Sequence, residues 1–342
     1  METLTGIGRK AIAELPIIDV SAFVKGGSSA ERSAVAAQLR EACINIGFFY
    51  IVGHAISAAE LDDALGWSHR FFALPLEDKL SISSAKSAIG HGYLQVGGLN
   101  SVAAPDIKER VVMSREHLAG EPADGNYNAG KSQWPKPDLL PGFEDFMKSY
   151  IRKCSDLARV LARVLAASLH LDEAFFDGMF RYLGANLILN YYPPVDRTKL
   201  QENQWSFSPH TDYGAFTILL QDAVGGLQAK NSAGRWIDVP PIRNAFVVNI
   251  GDMLAMWTND LYMSTLHRAL NLAGAPRVSL PFFTYPNGTT PIRCLPTCHD
   301  PANPPRYDEI VAEEYVAMLT RNVTQTGKPG ISQRNAQRLQ GG

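Results

Sequence analysis

A change of pattern near residue 187 limits the possible folds of this chain more than any other feature of the sequence. Before it, apolar residues recur with the spacing of helices that pack on a core. After it, short apolar runs are separated by Gly, Pro, Asn and Asp about every eight to twelve residues, a pattern typical of a β-sandwich or barrel. The runs are predicted to be strands at residues 187–192, 215–221, 225–229, 246–250, 253–257 and 278–285.

The first half of the chain carries signals for helices. Apolar residues at i, i+4 and i+8 predict a helix over residues 31–46, which ends before Gly47. Ser57 and Glu60 form a capping-box pattern, which predicts the start of a helix that runs to about Phe72. Other predicted segments are strands at 15–20 and 48–52, loops at 81–105 and 119–142, helices at 143–169, 172–182 and 307–318, and a polar tail from residue 324.

These segments predict helices packed around one β-barrel-like core, an α+β fold with a mainly β core. No segment between the halves has the composition of a linker, so a single domain over residues 1–342 is expected. We expect residues 1–180 to form a helix-rich region packed on the barrel. Residues 185–290 would form the catalytic core, and residues 300–342 a C-terminal helix and tail.

Composition and charge exclude several classes of function. The chain has 32 Lys and Arg against 34 Asp and Glu, a net charge of −2, so it lacks the positive balance of a nucleic-acid-binding protein. Its apolar runs are shorter than a membrane span, and its N-terminus lacks the apolar core of a secretory signal. The four cysteines show no disulfide spacing. We therefore expect a cytoplasmic protein with no nucleic-acid, membrane or obligate protein partner.

Two histidines and one aspartate form a candidate metal site. His210 and Asp212 precede a predicted strand, and in extended chain residues i and i+2 point to the same side. His267 follows later, after an apolar run. Two histidines and one carboxylate on one face of a metal leave positions open, which suits non-haem iron(II) that handles dioxygen. A His-x-Asp pattern also occurs by chance, and a zinc hydrolase could use the same ligands.

Arg277 and Ser279 form a candidate carboxylate site at the start of an apolar strand. They share one face of that strand, and a guanidinium beside a hydroxyl can hold a carboxylate. An arginine that faces the inside of a barrel is costly to bury without a negative partner. A bound anionic ligand would offset that cost, and so would a structural ion pair with Asp or Glu.

The order of these residues resembles the iron(II)- and 2-oxoglutarate-dependent dioxygenases of the isopenicillin N synthase-like family. The resemblance covers about residues 14–320. Further segments match that family in order and spacing: 15–19, 47–50, 71–72, 106–109, 190–193, 225–228, 236–240, 249–252 and 257–259.

The resemblance implies a double-stranded β-helix, or jelly-roll barrel, flanked by helices. It also implies roles for individual residues. His210, Asp212 and His267 would bind iron(II); Arg277 and Ser279 would hold the distal carboxylate of 2-oxoglutarate, supported by Tyr192 and Asn190. Tyr93, Leu94, Tyr213 and Phe283 are candidates for contact with the substrate. His54 is interpreted as structural.

The implied activity couples oxidative decarboxylation of 2-oxoglutarate to oxidation of a small molecule. The oxidation would be a hydroxylation, desaturation or cyclisation, in specialised metabolism. One alternative is an iron(II) oxidase of the same fold that uses no 2-oxoglutarate, in which Arg277 and Ser279 bind a carboxylate of the substrate. Another alternative is a binding protein that keeps the barrel without turnover. Release of succinate that depends on substrate would separate the oxidase alternative, and iron content and oxygen consumption would separate the binding protein.

Overall fold

The structure is a computed structural model that describes residues 9–96, 106–116, 121, 131–202 and 204–326. Its helices are α1 (Ser21–Val24), α2 (Ser29–Asn45), α3 (Ala58–Phe72), α4 (Leu76–Ser81), α5 (Phe143–Ser168), α6 (Asp177–Phe180), α7 (Asp252–Trp257) and α8 (Ala312–Thr326). In these ranges no helix is both long and apolar enough to cross a membrane.

The strands form two large sheets and one short ribbon. They are β1 (Ile17–Asp19), β2 (Phe48–Val52), β3 (Gly92–Leu94), β4 (Glu109–Ser114), β5 (Gly184–Tyr192), β6 (Phe207–His210), β7 (Phe216–Gln221), β8 (Leu227–Lys230), β9 (Trp236–Asp238), β10 (Phe246–Ile250), β11 (His267–Ala269), β12 (Arg277–Tyr285), β13 (Pro291–Ile292) and β14 (Ile310–Val311). The larger sheet has the order β1-β2-β10-β7-β12-β5-β4-β3, and the smaller has the order β6-β11-β8-β9. Within these sheets all neighbours are antiparallel except β1 and β2.

The two faces of the larger sheet are covered by different layers. Because side chains alternate along a strand, Leu280 and Phe282 of β12 point to one face, where they join a core that includes α5. Ser279 and Phe283 point to the other face, here called the inner face. Phe48 and Val247 on that face share a second apolar core with Ala229 of the smaller sheet. The inner face is therefore the one that packs towards the smaller sheet.

Several predictions from local signals are confirmed. Strand β2 and helix α5 lie where the sequence predicts them. The Ser57 side chain accepts the Glu60 amide, and Glu60 accepts from the Ser57 amide, so the capping box at α3 is formed as predicted. Gly47, which follows α2, has a φ of 65°, a left-handed conformation that favours glycine.

Four segment predictions are wrong. The run at 253–257 lies in helix α7 and is not a strand, because its Met, Leu and Ala residues favour a helix and so short an apolar run has no clear period. The helix predicted at 172–182 is reduced to α6. The loop predicted at 81–105 contains β3, which pairs with β4. The helix predicted at 307–318 begins later, with α8. The remainder of the predicted tail, from residue 327, lies outside the described residues.

Candidate metal centre and co-substrate site

Three side chains converge where the smaller sheet meets the start of β7. His210 ends β6 and is the direct cross-strand partner of His267, which begins β11. Asp212 lies two residues beyond His210, and its Oδ1 is 3.7 Å from Nε2 of His210 and 3.6 Å from Nε2 of His267. One ligand atom from each of the three residues falls within 4.8 Å of the others. The structure therefore brings together the three residues that the sequence predicts as metal ligands.

The backbone fixes which nitrogen of each imidazole faces the centre. Nδ1 of His210 is 2.7 Å from the carbonyl oxygen of Ser208, and Nδ1 of His267 is 3.0 Å from that of Thr265. A carbonyl can only accept, so each Nδ1 carries the proton and donates it. Each Nε2 then presents a lone pair to Asp212 and to any ion bound there.

The Asp212 carboxylate is held by two residues that the sequence analysis did not assign to the site. Its Oδ2 accepts hydrogen bonds from Oγ1 of Thr217 on β7, at 2.6 Å, and from Nδ2 of Asn249 on β10, at 2.7 Å. Thr217 and Asn249 are cross-strand partners, so the register between the two strands places both donors together. Oδ1 remains directed at the two histidines.

Burial and mutual proximity set the charges of this cluster. Burial, and then the neighbouring His267, lower the pKa of His210 to about 3, so its imidazole is neutral near pH 7. Burial alone would raise the pKa of Asp212, but the two histidines and the two hydrogen bonds outweigh it and hold that pKa below its usual value. Two imidazole nitrogens that face the centre and one ionised carboxylate fit a divalent transition-metal ion such as iron(II).

The second predicted pair, Arg277 and Ser279, lies at the start of β12 on the inner face. Arg277 is 1% exposed, and its Nη2 donates to Oε1 of Gln221 at 2.9 Å. Its Nε and Nη1 are buried and have no hydrogen-bond partner. Among the described residues, no carboxylate lies within ion-pair distance of its guanidinium. An ion pair of Arg277 with Asp or Glu, the structural alternative, is therefore not formed among the described residues.

Tyr192 completes this pocket for an anion. Its hydroxyl is 3.3 Å from Oγ of Ser279, and the Arg277 guanidinium carbon lies 4.8 Å from the centre of its ring. Burial raises the pKa of Tyr192, so its hydroxyl keeps its proton and can donate. Two free N–H groups beside two hydroxyls match the acceptor pattern of a carboxylate, so these residues fit one carboxylate of 2-oxoglutarate.

Cross-strand register extends this pocket into a row of polar side chains. Asn190 is the partner of Ser279 on one side and of Arg110 on the other, and Gln221 is the further partner of Ser279. The row therefore runs over four neighbouring strands of the inner face. Asn190 is predicted from the sequence, whereas Gln221 and Arg110 are not.

The four predicted substrate contacts fall in different places. Phe283 is the partner of Thr217 on the inner face, and Leu94 is the partner of Arg110. Tyr213 is partly buried and directly follows Asp212 in the chain. Tyr93 does not share the inner face: it is 1% exposed, joins the core with the helices, and donates to Oε2 of Glu109 at 2.6 Å.

Comparisons with known proteins agree with this geometry. A family model of the 2OG-Fe(II) oxygenase superfamily matches residues 184–286, and one described as the N-terminal part of non-haem dioxygenases in morphine synthesis matches residues 15–137. A 2-oxoglutarate-Fe(II) type oxidoreductase, ppzC of Metarhizium majus, is 35% identical over 91% of this chain and 88% of its own. Another oxidoreductase of that type, hxnY of Emericella nidulans, is 35% identical over 88% of both chains.

A solved structure has the same fold. The Neurospora crassa protein in complex with alpha-KG and thymine matches with a TM-score of 0.80 and 30% identity, over 90% of this chain and 98% of its own. The oxidase alternative, which uses no 2-oxoglutarate, has no support among these relatives. The chain belongs to the 2OG-Fe(II) oxygenase superfamily and is an oxidoreductase that uses iron(II), 2-oxoglutarate and dioxygen to oxidise its substrate.

Proposed function

We propose that His210, Asp212 and His267 hold the iron(II) ion and that Arg277, Ser279, Tyr192 and Asn190 hold 2-oxoglutarate. The observation that carries this proposal is the pair of buried, unpartnered N–H groups of Arg277. A buried cation with unused donors is unfavourable in an empty site, and a carboxylate would pair with both. Iron(II) with dioxygen and 2-oxoglutarate supplies the oxidising chemistry and releases carbon dioxide and succinate.

The protein's own groups position the reactants. Thr217 and Asn249 hold Oδ2 of Asp212, which keeps Oδ1 directed at the metal position. Gln221 holds Nη2 of Arg277 and leaves Nε and Nη1 for the co-substrate. The apolar core around Phe48 and Val247 closes the inner face on one side and excludes water there.

The prime substrate is a small molecule of specialised metabolism. The wall of its site includes Phe283 and Leu94, on the inner face, and Tyr213 beside Asp212. Tyr93 acts indirectly, by holding Glu109 at the start of β4. A relative crystallised with thymine supports a small organic substrate of this kind.

The architecture proposed for this activity is a double-stranded β-helix. In this proposal the eight-stranded and four-stranded sheets are the two walls of one jelly-roll, with the helix-rich part of residues 1–180 packed outside. Residues 185–290 form the catalytic core, and the whole chain is one domain. The shared apolar core between the two sheets supports this arrangement.

The test is an anaerobic titration of the metal-free protein with iron(II) and then 2-oxoglutarate. We expect a weak visible charge-transfer band that requires both components. Arg277→Gln should lose the band at co-substrate concentrations that saturate the wild type. Arg243→Gln is the matched control, because Arg243 is exposed and pairs with Asp62. A band of unchanged affinity in Arg277→Gln would overturn the assignment.

A further inference from the structure

A second group of charges lies beside the metal centre, around Asp106. The Lys108 Nζ atom is 3.3 Å from Oδ2 of Asp106, and Lys108 is 8% exposed. Oδ1 of Asp106 accepts from the amide of Ser208, at 2.9 Å, and from its Oγ, at 2.6 Å. Both carboxylate oxygens are thus already in use.

Arg110 is a cation in this group without an ion-pair partner of its own. It lies on β4, in the inner-face row next to Asn190, and its Nε is buried without a hydrogen-bond partner. In the described part of the chain it makes no hydrogen bond, and no carboxylate lies within 4.0 Å of its guanidinium. Asp106 acts on it only at longer range.

The group adjoins the first metal ligand. The Lys108 Nζ atom lies 2.7 Å from the centre of the Phe207 ring, and that ring stacks on the His210 imidazole with centroids 3.9 Å apart. Lys108 is also close enough to act electrostatically on His210. Arg110 in turn acts electrostatically on Lys108, so an anion bound at Arg110 would lie in the charge group that adjoins His210.

In the group of charges around Asp106, the positive charges outnumber the negative ones. Below the pKa of Lys108, which burial lowers to about 7, Lys108 and Arg110 are two positive charges against the single carboxylate of Asp106, which pairs with Lys108. Arg277 takes its own carboxylate from the co-substrate. One partly buried positive charge is therefore left with a free donor, a situation that is costly unless a ligand supplies an anion.

We propose that Arg110 is a specificity-determining residue that binds a carboxylate of the prime substrate. This inference rests on the proposed function, because it takes the adjacent centre to be the iron site. It narrows the substrate class to small organic acids. The other source of a carboxylate is 2-oxoglutarate itself, which the experiment separates.

The experiment is anaerobic calorimetry of the iron(II)-loaded protein with saturating 2-oxoglutarate. Benzoate and benzamide are the probes, because they share shape and differ in charge. Burial lowers the pKa of Lys108 to about 7, so the titrations are made at about pH 6, where Lys108 is mostly charged. We expect benzoate to bind about tenfold more tightly than benzamide, the ratio that one charge-assisted contact supplies.

Variants decide the role of Arg110. Arg110→Gln should abolish the preference for benzoate, and Arg110→Lys should keep part of it. Asp106→Asn should strengthen benzoate binding, because it removes the negative charge that acts on Arg110. Arg243→Gln removes an exposed cation and should change nothing.

The outcomes separate this inference from the proposed function. Equal binding of the two probes to the wild type, no binding of benzoate, or a preference that survives in Arg110→Gln would each overturn it. A loss of affinity for 2-oxoglutarate in Arg110→Gln, read from the charge-transfer band, would assign Arg110 to the co-substrate and also overturn it. Absence of the band in the wild type would instead contradict the proposed function. A normal band in Arg110→Gln shows that the variant is folded.

Discussion

Nδ2 of Asn249 donates a hydrogen bond to Oδ2 of Asp212 over 2.7 Å, from a strand that carries none of the proposed metal ligands. The carboxylate that faces the metal position is thus oriented from the far side of the site. Asn249 is 2% exposed, so the hydrogen bond is shielded from water. Hydrogen bonds that orient a ligand side chain contribute to the affinity of the site for its metal ion.

The first prediction concerns this contact. Asn249→Ala should weaken iron(II) binding by about tenfold to a hundredfold, the usual effect of losing a group that orients a ligand. The measurement is competition with a chelator of known affinity, without oxygen. Thr217→Ser keeps the other donor to Asp212 and should change the affinity much less than Thr217→Val. Equal affinity in Asn249→Ala and the wild type would contradict the prediction.

The second prediction concerns the hydroxyl of Tyr192. Tyr192→Phe should weaken 2-oxoglutarate binding by about tenfold or more, since a hydrogen bond to a charged carboxylate contributes about 1.5–3 kcal/mol. The readout is the co-substrate dependence of the charge-transfer band. Tyr191→Phe is the control, because Tyr191 is the next residue on β5 and its ring packs 5.3 Å from that of Phe72, on the other face. A larger effect in the control would count against the assignment of Tyr192.

The third prediction concerns a close backbone approach beside the site. A Cβ on Gly214 would lie 2.3 Å from the carbonyl oxygen of Thr284, so Gly214→Ala must displace backbone. We expect a loss of about 1–3 kcal/mol in the free energy of unfolding, measured with denaturant. Gly66→Ala, in the middle of α3 with no atom near its Cβ position, should instead gain up to about 1 kcal/mol. The same sign of change for both variants would refute this explanation.

The fourth prediction concerns stability below neutral pH. His54 accepts the Ile56 amide at Nδ1, at 3.3 Å, and its Nε2 is 3.2 Å from the carbonyl oxygen of Asn244. This pattern requires the neutral ring, and burial lowers the pKa of His54 below its usual value of 6.5. Below that value the unfolded chain binds a proton that the folded chain does not, so stability is full above about pH 6.5 and falls as the pH drops towards the folded pKa.

Denaturant unfolding at several pH values between about 5 and 7.5 measures this effect. His54→Gln should reduce the slope of the unfolding free energy against pH, and the part that remains includes His91, whose pKa burial also lowers. His69→Gln, at an exposed position on α3, should leave the slope unchanged. A slope that is identical in His54→Gln and the wild type would exclude this role for His54.

Local signals predict the elements that are stabilised locally. The capping box at Ser57 and the glycine after α2 mark helix ends because the groups that form them are neighbours in the chain. Strand β11 was not predicted, because its three residues carry too little alternation and it is a strand only through its partners β6 and β8. Helix α7 was misjudged because a short apolar run has no clear period.

The residues of the site also divide into those that can be predicted from neighbours in the chain and those that cannot. The spacing of His210 and Asp212 and the pair Arg277 and Ser279 are visible in the sequence, because each pair lies on one strand or its extension. Thr217, Asn249 and Gln221 serve the site through the register of strands that are distant in sequence. Their roles cannot be predicted without knowing which strands are neighbours. Tyr93 was placed near the substrate by resemblance, although alternation along β3 directs it to the helices.

The pairing of His210 with His267 has a consequence for the stability of the folded protein. Strand β6 lies at one edge of the smaller sheet, has only four residues and pairs with β11 in an irregular register. An ion bound by both histidines would link strand β6 to strand β11. Loss of the ion would then remove more than turnover, because it would also remove a link between these two strands and the stabilisation that a bound ligand gives the folded state.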